Sequence, residues 1–152
     1  MTPSQPPASF AAFADIAPGV VEAFRGVGKA VDASGLDKGL TELVKVRVSQ
    51  INGCAFCLKF HLDLARRHDV PATKLDLLAA WRDAPLYSER ERAALDWAEA
   101  LTSLADHHTL QATLDEVKRH FAGEEIAFLA ASVAVINAWN RLGAGLGFPP
   151  AG

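Results

Sequence analysis

The sequence predicts an all-α protein, a compact bundle of about seven helices. Three observations carry that prediction. Apolar residues recur at three- and four-residue spacing in segment after segment. Capping and stop residues punctuate those segments. No run alternates apolar and polar residues as a half-buried strand would. The 152 residues suit one core, so the whole chain, 1–152, is read as a single domain, with irregular ends over 1–15 and 143–152.

Each element follows from its own signals. Pro18 to Val31 reads as the first helix, with Pro18 in its first turn and Gly35 beyond its end. Asp37 caps a second helix to about Ile51, whose stripe is Leu36, Leu40, Leu43, Val44, Val48 and Ile51. Asn52-Gly53 stops it. A third helix starts near Cys54 and runs to about His68. Pro71 opens a fourth, through Leu77 and Leu78 to Trp81, and Ala84-Pro85 breaks the chain. Ser88 and Glu91 have capping-box spacing for a fifth helix, with its stripe at Ala94, Trp97, Ala98, Leu101, Leu104 and Ala105. Asp106-His107-His108 reads as a loop, and a sixth helix covers about Leu110 to Phe121. Gly123 separates it from the seventh, about Glu124 to Leu142, which is apolar nearly all round and so suits a core or a subunit interface.

Composition excludes several classes of function. Half of the residues are hydrophobic and 22% are charged, as in an ordinary globular domain. A net charge of -3 and no basic cluster exclude a nucleic-acid footprint. The start, Met1-Thr2-Pro3-Ser4-Gln5-Pro6-Pro7, has neither the basic nor the apolar region of a secretory signal. The longest apolar run, Ile126 to Trp139, is interrupted by Ser132 and Asn137 and falls short of the roughly 20 residues a membrane span requires. A cytoplasmic protein that touches neither membrane nor nucleic acid is expected. There, a close cysteine pair points to redox chemistry or metal binding before a structural disulfide.

That pair lies in Cys54-Ala55-Phe56-Cys57-Leu58-Lys59-Phe60-His61. At a turn of about 100° per residue, Cys54, Cys57 and His61 fall within an arc of roughly 60°. Cys57 and His61 are an i,i+4 pair, close enough for imidazole to exchange a proton with the thiol. Cys54 stands at a helix start, where free N–H groups favour a thiolate. The spacing also lets one sulfur close a disulfide on the other, which is the local chemistry of peroxide reduction or disulfide exchange. Other readings are available. Both cysteines can be inert small hydrophobes. With Glu42 or His68 as a fourth ligand, Cys54, Cys57 and His61 can hold zinc, although no second ligand pair is evident. Haem attachment requires a histidine where Leu58 stands, and a thioredoxin-like motif requires flanking strands.

The stretch Glu42-Leu43-Val44-Lys45-Val46-Arg47-Val48-Ser49-Gln50-Ile51-Asn52-Gly53-Cys54-Ala55-Phe56-Cys57, then three residues and His61, resembles the core motif of the alkylhydroperoxidase D (AhpD)-like family, in the carboxymuconolactone decarboxylase superfamily. Glu, eleven residues, Cys, two residues, Cys, three residues, His is matched at every spacing. The likeness is strong over about residues 37–68 and looser beyond, with Asn137-Ala138-Trp139-Asn140-Arg141 resembling the last helix of the family. The resemblance implies a hydroperoxide reductase with catalytic residues Glu42, Cys54, Cys57 and His61. It implies Cys57 as the peroxidatic thiol, Cys54 as the resolving thiol, and His61 relaying a proton towards Glu42. It further implies no cofactor and no metal, a dithiol reductant such as a lipoyl-bearing protein, and a homo-oligomer, a trimer or hexamer.

Two features stand apart from the resemblance. Periodicity alone places Glu42 opposite the apolar stripe, as a solvated charge; if it is instead buried beside the thiols, a raised pKa is expected. Phe56 occupies the position where well-known peroxidase members carry an extra histidine, which bears on the rate and on the substrate. Elsewhere, His107-His108 read as exposed loop residues. Gly26-Val27-Gly28-Lys29 lacks the rest of a phosphate loop, and Gly143, Gly145 and Gly147 follow no strand. Trp81, Trp97 and Trp139 read as core or interface residues. Asn137 and Asn140 can reach a cleft or serve packing equally well. The competing functions are a decarboxylase or lactone-processing enzyme, whose superfamily relatives generally lack the cysteine pair, and a non-enzymatic thiol redox sensor.

Overall fold

The structure is a computed structural model that describes residues 5–150. Every regular element among them is helical: α1 (Phe10–Ile16), α2 (Pro18–Ala33), α3 (Lys38–Asn52), α4 (Ala55–Arg67), α5 (Ala72–Asp76), a 3-10 turn (Leu78–Ala80), α6 (Glu89–Ser103), α7 (His107–His120) and α8 (Gly123–Gly145). The all-α expectation therefore holds, with eight α-helices where about seven are predicted. Of the ends expected to be irregular, residues 1–4 and 151–152 lie outside the described range.

Local chemistry sets the boundaries. The Asp37 carboxylate accepts the Leu40 N–H at 2.7 Å and starts α3. Gly53 ends it at φ +66°, a left-handed conformation that glycine adopts without steric cost. The Ser88–Glu91 capping box is formed in both directions, at 3.2 and 2.8 Å.

Several boundaries differ from expectation. The helix predicted from Pro71 to Trp81 is instead the short α5 followed by the 3-10 turn. α6 ends at Ser103, so Leu104 and Ala105 fall outside the stripe assigned to them, with Leu104 exposed. Phe10–Ile16 is a helix, where residues 1–15 are expected to be irregular. Seven residues are too short to show amphipathic periodicity or to hold a helix alone. Ser9 caps it through the Ala12 N–H, and Phe10 and Phe13 anchor it against Phe148. His107 and His108 belong to α7, because the Asp106 carboxylate accepts the Thr109 N–H at 3.0 Å and makes Asp106 the cap of that helix. The last helix continues through Gly143 to Gly145, residues assigned by sequence to the tail.

α3 is the central element, packed against α4, α6 and α8. Its apolar side chains Leu43, Val44, Val46 and Val48 are fully enclosed, and four of its polar ones, Thr41, Glu42, Lys45 and Ser49, are buried as well. α8 is by length and composition apolar enough to cross a membrane. Here Leu129, Val133 and Ile136 lie in the core, and Asn140 and Gly143 extend the same buried side towards the cysteines. α3, α4 and α8 thus meet around the thiols.

Candidate active site

Cys54 is the N-cap of α4, and its sulfur accepts the Cys57 N–H at 3.3 Å. Both thiols are free and buried. α8 closes over them at Gly143, where a Cβ would lie 2.7 Å from the Cys54 sulfur and 3.2 Å from that of Cys57. Only a glycine allows the helix to come so close. Gly143 was missed from sequence because nothing in its local pattern marks a backbone approach to a residue almost ninety positions earlier.

His61 lies one helical turn after Cys57 and is almost fully buried. Its Nδ1 is 2.6 Å from Glu42 Oε2. The other carboxylate oxygen of Glu42 takes Lys45 Nζ at 3.0 Å and Lys38 Nζ at 2.8 Å. Glu42 is 0% exposed, so the solvated reading from periodicity is overturned. That reading assumed that α3 has a wet side, and the packing of α4 and α8 leaves none there. Lys38 and Lys45 were not singled out either, although their i,i+4 and i,i+3 spacing to Glu42 is the signal of a paired charge.

Electrostatics then assigns the protons. Burial pushes the Glu42 carboxyl upward, but hydrogen bonding and charge from His61, with Lys45 and Lys38, outweigh it and hold the group well below the usual carboxylate range. The expected rise is therefore a fall. Burial pushes the His61 pKa down, against the pull of Glu42. With Glu42 held ionised by His61 and the two lysines, neutral His61 donates its Nδ1–H to the carboxylate and leaves Nε2 as a proton acceptor.

The thiols differ from each other. A hydrogen bond from Cys57, outweighing burial, and the backbone N–H groups of Cys57 and Phe56 bring Cys54 down to about 7. Cys57 is pushed up, by its hydrogen bond to Cys54 and by burial, with Asn140 beside it countering in part. The first negative charge of the pair thus belongs on Cys54, as its helix-start position suggested. Asn140 is held in place by Ser49 at 3.1 Å and by Asn52 at 2.9 Å.

Cys57 and His61, but not Cys54, line a cavity of about 500 Å³. Its walls are largely apolar, with Phe24, Phe56, Phe60, Leu64, Ile136 and Trp139 among them. Phe56 stacks on Phe10 at 5.6 Å between centroids and meets Phe148 edge-on at 5.7 Å, so the residue in the place of a relay histidine serves as cavity wall. Among the described residues, no three His, Cys, Asp or Glu side chains are arranged to hold a metal ion. His68 is the C-cap of α4.

A buried Cys-x-x-Cys pair, next to a His–Glu couple and opening on a cavity, defines an all-helical thiol protein. Residues 18–100 match the carboxymuconolactone decarboxylase family, and the chain belongs to that family, with an AhpD-like fold. It is 32% identical over 133 residues to the uncharacterized protein YdfG of Bacillus subtilis, covering 88% of this chain and 90% of that one. A protein of unknown function from Agrobacterium tumefaciens, ATU0492, described as a candidate antioxidant defence protein AhpD, superposes with a TM-score of 0.86 at 32% identity, over 92% of this chain and 96% of the other. The debrominase Bmp8 superposes at 0.81 with 27% identity, over 92% and 75%. A variant of Bmp8 has been solved in complex with 2,3,4-tribromopyrrole.

Proposed function

We propose that this protein is a thiol-dependent hydroperoxide reductase that cycles Cys54 and Cys57 between dithiol and disulfide. The observation that carries the reading is the placement of Cys57 and His61 together on the cavity wall, with Cys54 behind them and Glu42 fixing the imidazole. The AhpD-like fold supports a peroxidase-related role.

In this reading, Nε2 of His61 takes the Cys57 proton as the sulfur attacks the terminal oxygen of the hydroperoxide. The O–O bond breaks, Cys57 becomes a sulfenic acid, and the departing alkoxide takes the proton from His61 to leave as alcohol. Cys54, already the more acidic thiol, attacks the Cys57 sulfur as a thiolate. The S–S bond forms, and hydroxide leaves as water with a proton from solvent. An external dithiol, in this reading a lipoyl-bearing protein, is oxidised to restore the pair. Subunits assemble as a trimer or hexamer, and the setting is the cytoplasm.

The test adds one equivalent of cumene hydroperoxide to the reduced protein and follows free thiols and intact mass. Rapid loss of two thiols and two hydrogens is expected. Cys57→Ser should be inert, and Cys54→Ser should stop as a sulfenic acid that dimedone traps. Thiols that persist as long as free cysteine reject the reading. A second reading is favoured by the likeness to Bmp8 together with the aromatic walls of the cavity: reductive removal of halogen from a small ring, with the same two thiols as electron source. Halide release from a bromopyrrole, with matching disulfide formation, would establish it.

A further inference from the structure

The cavity carries more than an apolar wall, because its charged lining is unbalanced. Four basic side chains, Arg25, Lys29, Lys38 and Lys45, face it with two carboxylates, Asp32 and Glu42, an excess of two positive charges. The two carboxylates are already satisfied. Lys38 bridges Asp32 at 2.7 Å and Glu42 at 2.8 Å, and Lys45 reaches Glu42 at 3.0 Å. The surplus therefore resides on Arg25 and Lys29, one turn apart on α2. Neither makes an ion pair among the described residues, although Glu22, one turn before Arg25, shares an adjoining groove with both. Arg25 is also positioned: its guanidinium carbon lies 5.6 Å from the centroid of Phe10, another wall residue. Aromatic walls lead inward to Cys57, and two cations stand on the outer helix.

We infer that the preferred substrate is an apolar organic hydroperoxide that also carries a carboxylate, its hydrocarbon between Phe24, Phe56 and Trp139 and its carboxylate at Arg25 and Lys29. The inference rests on the peroxidase reading and names the substrate class for that site. A volume of about 500 Å³ falls inside the roughly 300–1,000 Å³ of small-molecule sites, so the cavity holds an organic acid and not hydrogen peroxide alone. Arginine suits the role because its planar guanidinium takes a carboxylate through two parallel hydrogen bonds. Both cations are exposed, which limits each to a modest contribution. A substrate with its charge at one end would also be oriented, the peroxide end delivered towards Cys57.

The experiment uses the full chain with dihydrolipoamide as reductant and two matched pairs of substrates. One pair is cumene hydroperoxide and its para-carboxylate; the other is linoleic acid hydroperoxide and its methyl ester. The acid of at least one pair should exceed its neutral counterpart in kcat/KM by about five- to ten-fold, mostly through KM. The Arg25→Gln/Lys29→Gln double variant should bring that ratio close to one. Preference confined to the first pair identifies compact aryl acids, and preference confined to the second identifies fatty acids. Equal turnover within both pairs overturns the inference, as does a preference that survives in the double variant. Loss of thiols to none of the four would reject the peroxidase reading instead. Binding then judges the subsite separately, through quenching of Trp139 emission by unoxidised linoleic acid but not by its methyl ester, with Trp139→Phe as the blank. Equal quenching by acid and ester would reject the carboxylate subsite too.

Discussion

Glu42 on α3 and Glu99 on α6 are built from similar parts. Each is a carboxylate drawn into the protein and met by two cations and a ring N–H. Glu99 takes Arg47 Nε at 2.7 Å, Arg82 at 2.8 Å and the Trp81 indole N–H at 2.8 Å. Glu42 takes Lys45, Lys38 and the His61 imidazole. Both carboxyls are held below their ordinary range. The difference lies in the ring. The indole of Trp81 cannot give up its proton, and Glu99 lines no part of the thiol cavity. His61 has a second nitrogen that titrates, and it stands with Cys57 on the cavity wall. A buried ion cluster is therefore not in itself a site. The Glu42 cluster differs in joining a titratable ring to a cavity wall, and that is what the proposed chemistry uses.

The two clusters should differ most in what they contribute to stability. Glu42→Gln leaves Lys45 buried beside a neutral amide and should cost about 3–5 kcal/mol. Glu99 is one-fifth exposed, and Glu99→Gln should cost less, about 1–3 kcal/mol. Urea midpoints of the two variants check the order, and the reverse order would break the comparison.

Proton linkage sharpens it next. A carboxyl with a lowered native pKa stabilises the fold fully above its unfolded value of 4.5, and the contribution is lost as pH falls below that. His61, also lowered, acts in the same direction: below 6.5 the unfolded chain takes up a proton that the native state declines, so stability falls. The acid limb of the stability curve should begin near 6.5 and steepen below 4.5, and Glu42→Gln should flatten its lower part. On the thiol side, alkylation of the reduced pair should rise with a midpoint of about 7, and Cys57→Ala should move that midpoint upward by removing the donor that stabilises the Cys54 thiolate.

The smallest single effects concern two glycines. Gly143→Ala places a Cβ 2.7 Å from the Cys54 sulfur and should cost about 1–3 kcal/mol through overpacking. Gly26→Ala on α2 meets nothing within 4 Å and should stabilise by about 0.5–1 kcal/mol, as alanine does in an open helix. Thermal melts of both variants decide the point.

Fold class and the pairing of Cys57 with His61 one turn later were legible in the sequence because both depend on spacing within single helices; Cys54, the extended cap of α4, does not share their place on the cavity wall. Asp37, Gly53 and the Ser88–Glu91 box announce their boundaries through local chemistry. What stayed hidden depends on which segments meet. Glu42 looks solvated along α3 until α4 and α8 cover it; apart from its naming as a fourth zinc ligand, only the family resemblance made it a site residue. Gly143 looks like tail until α8 is seen to rest on the thiols. The cavity is assembled from α2, α3, α4 and α8 together with Phe10, and α1 is too short to declare itself.

In the proposed function, the Glu42 cluster serves the thiols and the Glu99 cluster serves the fold. The measurement is the rate of Cys54–Cys57 disulfide formation after one equivalent of cumene hydroperoxide, in Glu42→Gln and Glu99→Gln, under conditions where circular dichroism shows both fully folded. Glu42→Gln should be slower by about ten-fold or more, because His61 loses the partner that fixes its tautomer. Glu99→Gln should remain within about two-fold of the unaltered chain. Equal rates in the two variants, or an unaffected Glu42→Gln, would contradict the account.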